Sequence, residues 1–311
     1  MSFAMGADPQ TGTSPLLADP VHVFEHRAMN CGWGIFIVGD DERYAGQAAQ
    51  AAFGEVDRVE RELSRYIPTS DIARINALAP GQSVRIGPDT FACLEIAAQV
   101  GAATHGAFDV TIGSLLGPGP HRVPARRVPR IGVDEESRTV TALSESVLLD
   151  LGGIGKGYGV DQAVAVLRDW KITAALVHAG QSTTFALGAP GGEPGWTVAV
   201  RDPRQPESSL ARFYLRDQAF SGSGMLLHGE HIIDPQTGRP PNTGALGAWA
   251  IAATAAKADA FSTAFMILSP SEVANYCRRH SQITGMLCLD SPPGARLETF
   301  GREPQWVMQP V

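Results

Sequence analysis

Three short stretches hold residues whose types and spacing could do chemistry. In LDLGGIGKGYGVD (149–161) Gly153, Gly155 and Gly157 surround Lys156, Asp150 and Asp161 flank them, and a helix pattern follows. Glycines let a backbone close on a ligand, and the first N–H groups of a following helix attract anions. A tight strand-to-helix turn has the same composition. The stretch is not a Walker loop, because Gly155-Lys156 is followed by Gly157, and not a dinucleotide fingerprint, because its third glycine would fall on Tyr158.

In ADAFST (258–263) Asp259 and Thr263 stand four apart in a helical pattern, so a carboxylate and a hydroxyl share one face of an otherwise apolar segment. Such hard oxygen donors suit magnesium, which takes one or two protein carboxylates and fills its shell with water and phosphate. A helix start with a first-turn Asp and a back-bonded Thr would look alike. In HIIDPQTGRP (231–240) His231 and Asp234 leave a short strand at a corner fixed by Pro235. This histidine is either structural or a proton carrier.

These residues need elements to position them. Ala52, Val56, Val59, Leu63 and Tyr66 recur at helical steps, predicting a surface helix over 45–66, with Asp57 and Arg61 paired on another face. Further helices are predicted over 89–104 and 158–170, and in AAKADAFSTAFMIL and SEVANYCRRH. The runs GIFIVG, ALVHAG, TTFALG, WTVAVRDP, ARFYLRD and MLCLD read as short strands. Helices among many short strands predict an α+β fold with largely antiparallel sheets. Residues 1–20, rich in Pro, Gly, Ser and Thr without period, read as a flexible tail, and residues 21–311 as a single domain.

A net charge of −7 with no Lys/Arg run argues against nucleic acid as a partner. No apolar run of membrane-spanning length or signal-peptide pattern is present, predicting no membrane insertion and a cytoplasmic location. Cys31, Cys93, Cys277 and Cys288 lack metal-finger spacing and read as reduced. There is no GxSxG elbow or HExxH pair, and His22 and His26 lack a third metal ligand.

In chain order, RAMNCGWGIFI, LSRYIPTSDIARIN, THGAFDVTIGSLL, LDLGGIGKGYGVD, VHAGQSTTFALG, HIIDPQTGRP and ADAFSTAFMIL resemble successive blocks of the FAD:protein FMN transferase family, also called ApbE. The resemblance spans roughly residues 27 to 300. It implies a T-fold-related architecture, mainly antiparallel sheets packed with helices. It also implies Mg2+ as cofactor and FAD as the substrate, whose FMN half moves to a Thr or Ser hydroxyl of an acceptor flavoprotein while AMP leaves.

Carried over by position, the resemblance makes Asp259 and Thr263 metal ligands, joined by a backbone carbonyl at Gly153 or Gly155. The glycine loop would then hold metal and pyrophosphate, with Lys156 facing phosphate or tying the loop down. Met29 and Tyr66 fall where the family contacts FAD, Phe108, Asp109 and Thr111 line the cleft, and His231 matches a histidine implicated in catalysis. The family's usual AGGD is here Ala179-Gly180-Gln181-Ser182, which alters the flavin contacts expected from Gly180, Gln181 and Ser182. The acceptor pattern, Ser/Thr-Gly-Ala-Ser/Thr, does not occur in this chain, so the implied acceptor is a separate flavoprotein. A magnesium-dependent FAD pyrophosphatase and a non-catalytic FAD-binding protein are the alternative readings of the same residues.

Overall fold

A computed structural model describes residues 20–115, 129–145, 147–224, 232–291 and 294–309. In chain order the elements are β1 (Val21–Ala28), β2 (Cys31–Val38), α1 (Glu42–Leu63), α2 (Asp71–Asn76), β3 (Ser83–Arg85), α3 (Pro88–Ala103), a 3-10 turn (Val110–Leu115), β4 (Ile131–Asp134), β5 (Thr139–Ala142) and α4 (Gly155–Asp169). They continue with β6 (Ala175–Ala179), β7 (Thr183–Leu187), β8 (Trp196–Arg201), β9 (Ser209–Leu215), β10 (Gln218–Gly224), β11 (Ala245–Ala252), α5 (Ala255–Ile267), α6 (Pro270–Arg279), β12 (Thr284–Ser291), β13 (Gly294–Phe300) and β14 (Gln305–Met308).

The main sheet has eight strands in the order β1-β2-β6-β7-β10-β11-β12-β13, and every neighbouring pair is antiparallel. The α+β expectation and its antiparallel sheets hold. β1 and β2 are joined through Met29 and Asn30, whose φ values of 49° and 56° are the paired left-handed angles of a tight hairpin.

Alternation along the strands feeds two cores. Ile35, Ile37, Val177 and Phe185 point to the helix side, where α1, α4 and α5 pack, while Phe36, Phe220, Ile251 and Met286 face Trp196, Val198 and Phe213 of the small β14-β9-β8 sheet. β3, β5 and β4 form another three-stranded sheet.

α1 opens at Asp41, whose side chain accepts the N–H of Tyr44, and buries Ala45, Ala48, Ala52, Val56, Val59 and Leu63 in one stripe. The helix stops at Leu63, three residues before the predicted end, because Ser64 turns to an extended conformation. Tyr66 therefore leaves the stripe and stands 78% exposed. Asp57 accepts from His26 of β1 at 2.7 Å, so its partner is across the helix–strand interface rather than Arg61.

α4 begins at Gly155 instead of Tyr158, so Gly155, Lys156 and Gly157 form its first turn. α5 carries no charged residue except Lys257 and Asp259, and it is buried almost all round. Among the described residues no helix is long and apolar enough to cross a membrane. The four cysteines are free thiols.

Candidate active site

Helices α4 and α5 hold each other's first turns. Asp161 of α4 accepts the N–H of Ala255 at 2.7 Å and of Ala256 at 2.9 Å, the opening residues of α5. Asp259 of α5 accepts the N–H of Gly157 at 3.1 Å, in the first turn of α4. The N-cap of α4, Ile154, has no side chain able to do this, so the cap comes from the neighbouring helix. The exchange requires the helices to touch. A Cβ on Gly157 would overlap the Ala255 carbonyl, which glycine alone avoids.

Asp259 is 3% exposed and fully engaged. Besides Gly157, its carboxylate accepts from Ser221 at 3.1 Å and Thr183 at 3.3 Å, and these two hydroxyls lie 3.0 Å apart. One turn on, the Thr263 hydroxyl donates back to the Asp259 carbonyl at 3.3 Å and meets Ser223 at 3.2 Å. Ser221 and Ser223 are alternate residues of β10 and so share the face turned toward α5.

The glycine loop closes on this pair. A Cβ added to Gly153 would stand 2.9 Å from Thr263 Oγ1 and 3.1 Å from Phe108 Cε2, so Gly153, Thr263 and Phe108 meet at one point. At Gly155 a Cβ would meet only Leu151, at 3.6 Å. Lys156 ties the loop down, its Nζ donating to the Gly152 carbonyl at 3.2 Å. Asp150 accepts the Gly152 N–H at 2.8 Å and pairs with Arg65 at 3.1 Å. Arg65 also donates to the Tyr66 hydroxyl at 2.7 Å, with its guanidinium carbon 4.8 Å from the centre of that ring. Tyr66 thus reaches the loop through Arg65 and Asp150.

The remaining candidates fall around the same place in different roles. Met29, at the hairpin tip, reaches α4, since a Cβ on Gly159 would stand 3.0 Å from Met29 Cε. Beside it, burial pushes the Cys31 thiol up, and the Lys156 ammonium pulls it down. Gly180 donates to the Gly32 carbonyl at 2.8 Å, Gln181 is exposed, and the Ser182 carbonyl accepts the Gly222 N–H at 2.9 Å. The Asp109 carboxylate is taken up locally, accepting the N–H and the hydroxyl of Thr111 at 2.8 Å each.

His231 lies outside the described residues. The turn that follows it, closed by Asp234 and Arg239, sits against the end of α3, with Gln236 donating to the His105 carbonyl at 3.3 Å.

Sequence reasoning missed Ser221, Ser223, Thr183 and Arg65. The alternate serines of SGSG were the available signal, since residues two apart on a strand share a face. Burial pushes the Asp161 carboxyl up to about 6, against the pull of the Ala256 and Ala255 N–H groups.

Asp259 and Thr263 offer only oxygen donors, with one carboxylate between them. Among the described residues there is no group of three or more His, Cys, Asp or Glu able to hold a metal. These residues fit a magnesium ion completed by water and phosphate better than a zinc ion.

Known proteins resemble this chain in sequence and in fold. The FAD:protein FMN transferase of Escherichia coli (strain K12) is 28% identical over 316 residues, covering 92% of this chain and 89% of that protein. The flavinyl transferase ApbE of Pseudomonas stutzeri, in its apo form, superposes with a TM-score of 0.78 at 22% identity, covering 92% of this chain and 96% of that one. The flavin transferase ApbE of Vibrio cholerae gives 0.76 at 21% identity, covering 90% and 98%. The sequence profile of the ApbE family matches residues 29–287. The chain belongs to the ApbE family.

Proposed function

We propose that this chain is a magnesium-dependent FAD:protein FMN transferase, which moves FMN from FAD onto a Thr or Ser hydroxyl of an acceptor flavoprotein and releases AMP. The observation that carries the reading is the meeting of Thr263, Gly153 and the helix-capping Asp259 at the start of α4. Membership of a family whose named relatives are FAD:protein FMN transferases supports it.

In this reading Asp259, Thr263 and a carbonyl at Gly153 or Gly155 hold magnesium. Bound there, the ion supplies positive charge against the negative charge that builds on the pyrophosphate oxygens. The first turn of α4 adds its own partial positive charge, of which Asp259 takes up the Gly157 N–H. Lys156, next to the loop it braces, adds a full positive charge at the same end.

Phe108, Met29 and Tyr66 contribute the apolar and aromatic surface for the flavin and adenine rings. The acceptor oxygen attacks the phosphorus on the riboflavin side, the anhydride bond to the AMP phosphate breaks, and AMP takes the bridging oxygen. His231, assigned by resemblance, takes the acceptor's proton.

The test is stoichiometric. Chromatography of a reaction with FAD, magnesium and a peptide carrying Thr-Gly-Ala-Thr should show one AMP released per FMN attached. AMP and free FMN in equal amounts, with unmodified peptide, would instead mean a pyrophosphatase. FAD bound and unchanged would mean a binding protein.

A further inference from the structure

A transferase that modifies a protein needs a surface for that protein, and the β1 edge of the main sheet supplies one. We propose that the slot between β1 and α1 docks an extended segment of the acceptor flavoprotein as an added strand. The proposal rests on the transferase reading above.

β1 is one of the two outermost strands of the eight, with β13 at the other edge. Its hairpin pairs Ala28 with Cys31 across a two-residue turn, so Ala28, His26, Phe24 and His22 turn their main-chain groups toward β2. The intervening Val23, Glu25 and Arg27 must then turn theirs away. The bond from Gly180 N to Gly32 O confirms the alternation from the far side, because Gly32 faces β6 and its β1 partner Arg27 therefore faces outward. Among the described residues, the N–H and C=O of Val23, Glu25 and Arg27 have no partner.

A groove of about 580 Å³ runs along this edge. Four consecutive residues, Val23 to His26, line it. Side chains alternate between faces, so four in a row can line one groove only if it follows the strand's edge. The opposite wall is one stripe of α1 that includes Gly46, Phe53 and Asp57. His26 helps shape the floor, stacked on Phe53 at 4.9 Å and bonded to Asp57 at 2.7 Å. Space is kept open by Gly46, where a Cβ would stand 3.4 Å from Phe24.

An exposed edge with a helix beside it is the geometry of strand-addition recognition: main-chain bonds give affinity and side-chain pockets give selectivity. The place of the slot chooses the occupant, because it leads to the chemistry. From Val23 to Arg27 the free groups span about 13 Å. Two residues beyond is Met29, packed against Gly159 of α4, which lies four residues, about 6 Å along the helix, from Gly155. A segment paired along β1 is thereby aimed at the glycine loop.

Val23→Pro and Glu25→Pro each delete one outward N–H at an edge position that tolerates proline. The probe is a synthetic peptide of eight alternating Val and Lys residues ending in Thr-Gly-Ala-Thr, together with a twin N-methylated on alternate amides. KM for the peptide should rise at least tenfold in either variant and for the twin, while FAD affinity stays unchanged. In hydrogen exchange the Val23, Glu25 and Arg27 amides should exchange fast in the free protein and become protected when peptide is added.

Unchanged peptide KM in both variants would overturn the docking proposal. So would amides already protected in the enzyme alone, which would mean the slot holds a second copy or residues 1–19 of this chain. Wild-type protein that transfers FMN to neither peptide would defeat the transferase reading and the docking with it. Transfer that ignores the edge would defeat the docking alone.

Discussion

The Asp259 carboxylate accepts the Gly157 N–H at 3.1 Å across 102 residues of sequence, and Asp161 returns the bond to the first turn of α5. The proposed metal ligand is therefore also a helix cap, and its two duties can be separated. Asp259→Ala strands the Gly157 N–H and takes the carboxylate from the hydroxyls of Ser221 and Thr183, which keep each other as partners. We expect a loss on the order of 3 kcal/mol in urea unfolding together with loss of turnover. Asp259→Asn keeps the size and one acceptor oxygen, so it should recover most of that stability while turnover stays down at least about 100-fold. Magnesium-dependent turnover in the Asn variant near wild type would show that Asp259 is only a cap.

The glycines differ in what they tolerate. Gly157→Ala drives a methyl into the Ala255 carbonyl and should cost about 3 kcal/mol or more, seen as a lower urea midpoint. Gly155→Ala meets only Leu151, at 3.6 Å, in a helical first turn, and should be neutral or stabilising by up to about 1 kcal/mol. Equal destabilisation in the two would contradict the close approach of α4 and α5.

This contrast marks how far the sequence was legible. Asp259 and Thr263 could be placed on one helix face from a four-residue spacing, because α5 is apolar enough to make a carboxylate stand out. Gly157, Ser221 and Thr183 could not be connected to Asp259, because their bonds cross 38 to 102 residues and periodicity carries no information about such pairs. Tyr66 matched the apolar period of α1 by coincidence. The helix had already ended at Leu63, and an aromatic meant for a ligand cannot be told from one meant for the core by spacing alone.

Arg65 links Tyr66 to the loop, so its removal should act through FAD. Arg65→Gln should raise KM for FAD roughly 2- to 5-fold with little change in kcat, as should Asp150→Asn, and the double variant should be no worse than either single change. Steady-state kinetics with FAD varied checks this, and additive losses would mean that the two residues act separately.

Asp161 gives the fold a pH signature. Its carboxyl is pushed from 3.8 up to about 6 by burial, so the folded chain holds this proton more tightly than the unfolded chain. Its contribution to stability is therefore full below about pH 3.8 and falls as pH rises toward 6, by on the order of 3 kcal/mol. Asp161→Asn removes the titration. The stability difference between wild type and this variant, from urea midpoints at pH 4 and pH 7, should shift against wild type as pH rises. A constant difference would mean that the Ala255 and Ala256 N–H groups offset the burial.

The central claim is that Asp259 and Thr263, with the loop at Gly153, serve FMN transfer to a protein. Intact-mass analysis of a Thr-Gly-Ala-Thr peptide after incubation with FAD, magnesium and the purified chain tests it most directly. The account predicts an FMN-sized mass gain that chelation of magnesium abolishes and that Asp259→Asn does not produce. An unmodified peptide with the wild-type chain, or an adduct formed equally well by Asp259→Asn, would contradict it.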